Sequence, residues 1–243
     1  MLIPEFIGVF MKSVSVILPT YNEKENILEV IGSLIKYVKN PLEIIVVDDK
    51  SQDGTLEAVK SSKFKNVKII RRISHRSLPK SISDGILNAR GDIIIWMDAD
   101  MSHPPEIVPK LVKAVEKYDV VIASRYVDNG KDIRPIARRI ASRAINHFAS
   151  FIFGFKIRDW STGFVAARRR VFGKIKLIDY GYGEYCINFL YSCIKNGFTV
   201  KEIGFVNSER TKGHSKTSHS LMAMLGIGYK YIKEVLKLRV YGT

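Results

Sequence analysis

Two aspartates two positions apart, Asp98 and Asp100, sit in the stretch DIIIWMDADMSHPPE, where a strongly apolar run gives way to paired carboxylates and then a double proline. Like charges repel, so a chain that places two acids together gains from a cation between them. Residues two apart in extended chain point to the same side, which lets both side chains converge on one ion. Hard oxygen donors select Mg2+ or Mn2+ over softer metals, and Mg2+ held by one or two carboxylates completes its shell with water and substrate phosphates. The pair therefore predicts a divalent cation and, bound through it, a diphosphate. The alternative is a pair of helix caps ahead of PPE, where aspartate is also favoured.

Other reactive side chains suggest less. His75, His103, His147, His214 and His219 show no metal-ligand spacing, and His103 and His214 read as turn or capping residues. A GxxxxGK phosphate loop is absent, which disfavours nucleotide hydrolysis of that type. Cys186 and Cys193 lie seven apart in a helical pattern, about 10 Å along the axis and beyond disulfide reach, as expected of reduced core thiols in a cytosolic protein.

The elements that must position the acids follow from apolar periodicity. Val14 to Leu18 reads as a strand, followed by a helix with Ile27, Val30, Ile31, Leu34, Ile35 and Val38 on one face behind a cap at Asn22. EIIVVDD, NVKIIRR, DIIIWM and DVVIAS continue as strands, with SQDGTLEAVKSS, SISDGILNAR and PPEIVPKLVKAVEKY as the intervening helices. Fully apolar strands alternating with helices predict an α/β fold, a mostly parallel sheet covered on both faces. Ligands of such sheets bind beyond the carboxyl ends of the strands, which is where PTYNE, Asp48, Asp49, Asp98, Asp100 and Arg125 fall.

Charge divides the 243 residues unevenly. Residues 1–124 carry 17 Lys and Arg against 16 Asp and Glu, and residues 125–243 carry 22 against 8. A second half this basic suits a phosphorylated substrate, an anionic membrane surface or nucleic acid. Acids at three strand ends would repel nucleic acid, so that partner is not expected. No run of roughly 18 or more apolar residues marks a spanning helix, and MLIPEFIGVF, with Pro4 and Glu5 and no basic start, is a poor signal peptide; residues 1–12 read as a loose leader.

Six blocks in order, SVILPTYNEKENI, IIVVDDKSQDGT, GDIIIWMDADMSHPPE, VIASRY, STGFVAARRRVF and ERTKGHSK, resemble the inverting nucleotide-sugar glycosyltransferases, and within them the dolichyl-phosphate mannose synthases and related polyprenyl-phosphate glycosyltransferases. The resemblance implies a single GT-A type, Rossmann-like domain over 13–216, with a nucleotide-sugar half (13–124) and a basic acceptor half (125–216). It implies nucleotide-sugar contacts at Pro19, Thr20, Tyr21, Asn22, Glu23, Val46, Asp48, Asp49, Asp98, Ala99 and Asp100, with Asp49 bracing the DDKSQDGT turn. Asp98, Asp100 and Ser102 would hold Mg2+ or Mn2+. Acceptor phosphate would meet Arg125, Arg138, Ser142, Arg210, Ser215 and Lys216, and Asp159 with STGF at 161–164 would form a wall, a turn residue being the alternative for Asp159. The catalytic set is then Asp98, Asp100, Arg125 and Arg210. Arg139, Arg143 and the triple Arg168–Arg170 are expected on a solvated or membrane-facing surface.

The implied donor is GDP-mannose, with a UDP-sugar as the alternative, and the implied acceptor is dolichyl or polyprenyl phosphate, with a saccharide as the alternative. Where the resembling enzymes have a glycine-rich loop, this chain has HRSLPKSISDG, with Ser77 and Pro79. Residues 217–243 read as a basic amphipathic helix, with Leu221, Leu225, Gly228, Ile232, Val235 and Leu236 on one stripe and Lys230, Lys233 and Lys237 off it. Such a helix can lie in a membrane interface or pack on the domain. The expectation is a protein peripheral on the cytoplasmic face of a membrane, with a separate membrane subunit as a further partner by analogy with relatives that lack their own spans.

Overall fold

The computed structural model describes residues 11–208 and 221–242. β1 (Val14–Thr20) leads to α1 (Ile27–Tyr37), β2 (Leu42–Asp48) to α2 (Thr55–Ser61), β3 (Val67–Arg71) to α3 (Leu78–Asn88) and β4 (Ile93–Trp96) to α4 (Val108–Val115). Then come β5 (Val120–Ser124), β6 (Lys131–Asp132), α5 (Ile136–Phe153), β7 (Val165–Arg168), α6 (Glu184–Lys195), β8 (Val200–Gly204), β9 (Val206–Asn207) and α7 (Leu221–Tyr241). Among the described residues the main sheet runs β3-β2-β1-β4-β7-β5-β8, and β6 pairs with β9 beside it. All neighbours in the main sheet are parallel except β7, which is antiparallel to both β4 and β5. β4 and β5 therefore point the same way, and their carboxyl ends share an edge with those of β1 and β2.

Strand periodicity builds two cores. On one face Ile17, Ile45, Ile94, Trp96, Val120 and Ile122 meet α3, α5, α6 and α7; on the other Val16, Leu18, Ile44, Val46, Ile93, Ile95 and Val121 meet α1, α2 and α4. Successive residues of a strand point to opposite faces, so strands buried on both sides must be apolar throughout, as IIIW and VVIAS are. Trp96, 1% exposed, packs its edge on Phe172 and Phe189 at 6.3 and 5.2 Å between ring centres. Burial of this kind contributes roughly 2–3 kcal/mol per large side chain. Gly85 lets α3 lie against β1, for a Cβ there would fall 2.4 Å from Ile17 Cγ2.

Several expectations change. The expected cap at Asn22 is replaced by a helix that begins at Ile27 after a turn, while Asn22 sits at φ 52° and its side chain accepts from the Gln52 amide at 2.9 Å. A short polar side chain of this kind tolerates the left-handed region and ties two loops together. The triple arginine lies at the surface, with Arg169 and Arg170 exposed, yet each is tethered: Arg168 donates to the carbonyls of Val115 and Glu116, Arg169 to that of Gly91, and Arg170 pairs with Asp119. Sequence separations above 50 hid those partners. The tail helix both packs and exposes apolar surface. Val235 and Leu238 are fully buried against the domain, whereas Leu225, Tyr229, Ile232, Leu236 and Val240 are exposed along one stripe. Ile232 and Leu236 of the expected stripe thus lie on the outer side of the helix, and its packing face is turned toward Glu234, Val235 and Leu238. Among the described residues no helix is long and apolar enough to cross a membrane.

Candidate active site

A cavity of about 840 Å3 opens at the carboxyl edge of the sheet, lined from β1, the loop after β4, the end of β5, α5, the 161–163 and 181–183 loops, and α7. Its size suits a nucleotide-sized ligand. On the β1 side it is lined by Pro19, Thr20, Tyr21 and Glu23. The Glu23 amide donates to Thr55 Oγ1 at 2.9 Å, which fixes this loop to the start of α2. The guanidinium of Arg76 stacks over the Tyr21 ring, 4.0 Å from its centre, and both line the cavity. Arg76 was not legible in sequence, because a lone arginine in HRS has no pattern.

The two aspartates after β2 exchange their expected duties. Asp48, fully buried, accepts from Thr20 Oγ1 at 3.1 Å, the Ser51 amide at 3.0 Å and the Ser51 hydroxyl, so it is Asp48 that braces the turn. Asp49 lines the cavity, accepts from the Ser77 amide at 2.7 Å and has Arg72 Nη1 2.8 Å away. The reason is strand parity, since consecutive residues leave opposite sides of the chain. Val46 is fully buried within the α1-side core, and neither Val46 nor Asn22 lines the cavity. Ser77, where a glycine was expected, accepts from the Lys80 amide at 3.4 Å as the cap of α3.

Asp98, Ala99, Asp100, Ser102 and His103 line the cavity together. β4 ends at Trp96, so the pair converges from a loop and not from extended chain as the spacing argument assumed; Met101, at φ 66°, turns that loop back on itself. The Asp98 side chain is 46% exposed, whereas Asp100 is 7% exposed and accepts from the Ser102 amide at 3.1 Å and hydroxyl at 2.6 Å. Ser102 thus braces Asp100 and lines the cavity beside it. Among the described residues no group of three or more His, Cys, Asp or Glu forms a metal cage. Two hard carboxylates with no cage around them fit a divalent cation that takes its other oxygens from water and substrate.

Arg125 lines the cavity but is not a free cation. It is 6% exposed and its Nε and Nη2 lie 2.8 and 2.6 Å from the two oxygens of Asp159, while its own amide donates to the same carboxylate at 3.0 Å. Burial alone would lower its pKa, but the charge and hydrogen bonds of Asp159 outweigh burial and raise it. Asp159 is therefore the anchor of Arg125, which amends its reading as a turn or wall residue. Arg138 and Ser142, one turn apart on α5, line the cavity, as do Ser161, Thr162 and Gly163. Arg134 joins them, paired with Asp132 at 2.7 Å. Arg143 lies over Tyr126 and Arg139 reaches the Asp132 carbonyl at 3.5 Å, so neither is wholly solvated. Arg210, Ser215 and Lys216 fall outside the described residues, as do residues 1–10 of the leader.

Residues from far along the chain complete the cavity. Gly181, Tyr182, Gly183 and Tyr185 line it together with Ile227, Gly228 and Tyr231 of α7. Burial drives the Tyr185 and Tyr231 hydroxyls well above their ordinary range, and that of the Cys186 thiol to about 12, so these groups stay protonated. Cys186 and Cys193 are buried free thiols.

A parallel sheet with one inserted antiparallel strand, and acids and arginines gathered at its carboxyl edge, defines the GT-A type of sugar-transferase fold. The chain belongs to Glycosyl transferase family 2, whose model matches residues 15–176. A dolichol-phosphate mannosyltransferase of Pyrococcus furiosus is 35% identical over 236 residues, 93% of this chain; the chain spans only 63% of that relative's length. A polyprenol monophosphomannose synthase of Mycolicibacterium smegmatis is 35% identical over 216 residues, 84% of this chain and 81% of that protein. An undecaprenyl-phosphate mannosyltransferase of Micrococcus luteus is 31% identical over 215 residues, 85% and 88% of the two chains. Among solved structures, glucosyl-3-phosphoglycerate synthase from Mycobacterium tuberculosis in complex with Mn2+, UDP and phosphoglyceric acid matches with a TM-score of 0.72 over 94% of this chain and 78% of that one, at 19% identity, a likeness of fold.

Proposed function

We propose that this protein is an inverting, divalent-cation-dependent glycosyltransferase that moves mannose from GDP-mannose to a dolichyl or polyprenyl phosphate. The observation that carries the reading is that Asp98, Asp100, Arg125 and Arg138 line one cavity at the carboxyl edge of the sheet. The three relatives' names, each a mannose transferase or synthase for a polyprenyl carrier, support the sugar and the acceptor. An oxygen of a phosphate monoester is already anionic near neutral pH, so the acceptor needs no general base. That oxygen attacks the anomeric carbon of the donor from the face opposite the diphosphate; the new glycosyl–oxygen bond forms as the bond to the diphosphate breaks, and GDP leaves. Mg2+ or Mn2+ bound at Asp98 and Asp100 would neutralise the departing diphosphate as a Lewis acid.

The protein's own residues bring the two anions together. Pro19, Thr20, Tyr21, Glu23, Asp49 and Ala99 form the donor side, with Arg76 stacked on Tyr21 as an added contact. Arg125, held in place by Asp159, meets the acceptor phosphate with Arg138 and Ser142; Arg210, Ser215 and Lys216 complete this set. The exposed apolar residues Leu225, Tyr229, Ile232 and Leu236 on α7, and Ile136 and Ile140 on α5, lie among Lys230, Lys233, Arg139 and Arg143. Apolar surface flanked by cations suits an anionic bilayer, and it supports peripheral attachment at the cytoplasmic face, where a membrane subunit could share the task.

Purified protein incubated with Mg2+, polyprenyl phosphate and each of a panel of radiolabelled sugar nucleotides, then extracted with organic solvent, tests the reading. Label from GDP-mannose should enter the organic phase and chelator should abolish the transfer. Label that remains aqueous with every donor refutes a lipid acceptor, and transfer from a UDP-sugar alone refutes the donor.

A further inference from the structure

Arg134 repeats the arrangement that holds Arg125. Its Nε and Nη2 lie 2.8 and 2.7 Å from the two oxygens of Asp132, and its amide donates to the same carboxylate at 3.3 Å. Asp132 is 4% exposed, whereas the Arg134 side chain is 24% exposed and lines the cavity. Burial by itself would push the Asp132 carboxyl up, but the hydrogen bonds and charge of Arg134, with the charge of Arg125, outweigh it and hold the group below its ordinary range. The carboxylate therefore stays ionised and keeps its grip. Local sequence supplies the pose. Asp132 is fixed where β6 pairs with β9, opposite Asn207, and Pro135 disfavours helical backbone at the residue before it. Helix α5 begins only at Ile136, which leaves Arg134 in the turn ahead of it, four positions before Arg138.

The sheet order sets this group apart from the donor side. β1 and β2 lie on one side of β4, whose following loop carries Asp98 and Asp100, and β7 and β5 lie on the other. Arg125 follows β5, and Tyr126 links it to Arg134: the Arg125 guanidinium carbon is 5.1 Å from the Tyr126 ring centre, while the Tyr126 hydroxyl donates to Asp132 at 3.2 Å. A guanidinium has five N–H donors, and the fork on Asp132 uses two of them. Among the described residues the Arg134 side chain makes no other hydrogen bond. A phosphate monoester offers three strong acceptor oxygens, more than one arginine satisfies. We infer that Arg134 is a further binding residue for the acceptor phosphate, presented to it by Asp132 as Arg125 is by Asp159. The inference rests on the reading of a lipid phosphate as the acceptor.

The test is the affinity of the full chain for farnesyl phosphate, a short prenyl phosphate monoester, by isothermal titration in detergent with Mg2+ and GDP present. Farnesol is the phosphate-free comparison, and GDP affinity is measured alongside. The wild type should bind farnesyl phosphate and not farnesol; binding of neither, or of both alike, overturns the lipid-phosphate reading and the inference with it. Arg134→Gln should weaken farnesyl phosphate by about 10-fold or more, as expected of a lost hydrogen bond to a charged group, and leave GDP affinity unchanged. Arg134→Lys keeps the charge but loses the fork, and should recover part of the loss. If Arg134→Gln does not fold, Asp132→Asn combined with Arg134→Gln, which removes both charges of the pair, carries the same expectation. Wild-type binding of farnesyl phosphate in these glutamine variants overturns the inference alone. So does an equal loss of GDP and farnesyl phosphate affinity, which marks a purely structural role, or a loss of GDP affinity only, which assigns Arg134 to the donor.

Discussion

Replacing Asp159 with alanine strands the Arg125 guanidinium in a site where it is 6% exposed. The wild-type carboxylate, fully buried, accepts from the Arg125 amide, Nε and Nη2 at 3.0, 2.8 and 2.6 Å. Leaving one member of a buried pair uncompensated costs about 3–5 kcal/mol. Arg125 borders the cavity, from which water can reach it, so the lower end of that range, about 3 kcal/mol, applies here. For a chain of this size each kcal/mol moves the unfolding temperature by roughly 2–4 °C, which predicts a drop of about 6–12 °C. Urea unfolding followed by fluorescence gives the free energy directly. Removing both charges together, Arg125→Met with Asp159→Leu, should recover most of the loss, because well-packed apolar groups can replace a buried pair at little cost. Under the proposed function the double variant should nonetheless fail to transfer sugar, since it lacks the arginine proposed to meet the acceptor phosphate. A loss below about 1 kcal/mol in Asp159→Ala, or a double variant no more stable than the single one, refutes the claim that burial without compensation sets the cost.

Two further outcomes follow from geometry. Burial pushes the Asp119 carboxyl up, but hydrogen bonds from Arg170 and Thr199 more than offset it and hold the group below its ordinary 3.8; its contribution to stability is therefore present above that value and lost as pH falls through the lower folded one. Asp119→Asn should flatten the acid limb of a urea-midpoint profile measured below about pH 4, and an unchanged slope contradicts this. Gly204→Ala would put a Cβ 2.1 Å from the Asp128 carbonyl oxygen and 2.5 Å from the Gly130 amide, so the 128–130 loop next to Arg125 must shift. Overpacking of this kind costs about 1–3 kcal/mol by chemical denaturation, and wild-type stability would show that the loop yields freely.

Much of the fold is written in local pattern. The five runs around VSVIL, EIIVV, KII, IIIW and VVIAS become β1 to β5, because strands covered on both faces need apolar residues at every position. β7 was hidden: VAAR is four residues long, half of it alanine, and its place between β4 and β5 is fixed by pairing with Ile94 and Val121, not by its own propensity. The packing face of α7 was likewise hidden. Its sequence offers two apolar stripes, and only the presence of α5 and α6 decides that Val235 and Leu238 turn inward.

What the sequence by itself determined is the inventory and its edge. Alternating apolar runs dictate a mostly parallel sheet, and strand lengths place DD, DAD and SR at the strand ends that form a crevice. Tertiary structure alone decided how each charge is used: Asp48 braces a turn, Asp49 meets Arg72, Asp159 holds Arg125 and His103 lies beneath Asp98. The physical reason is reach. Backbone patterning acts between residues a few positions apart, whereas the energy of a buried charge depends on whichever groups, 23 positions on for Asp49 or 34 for Arg125, the fold brings within about 3 Å.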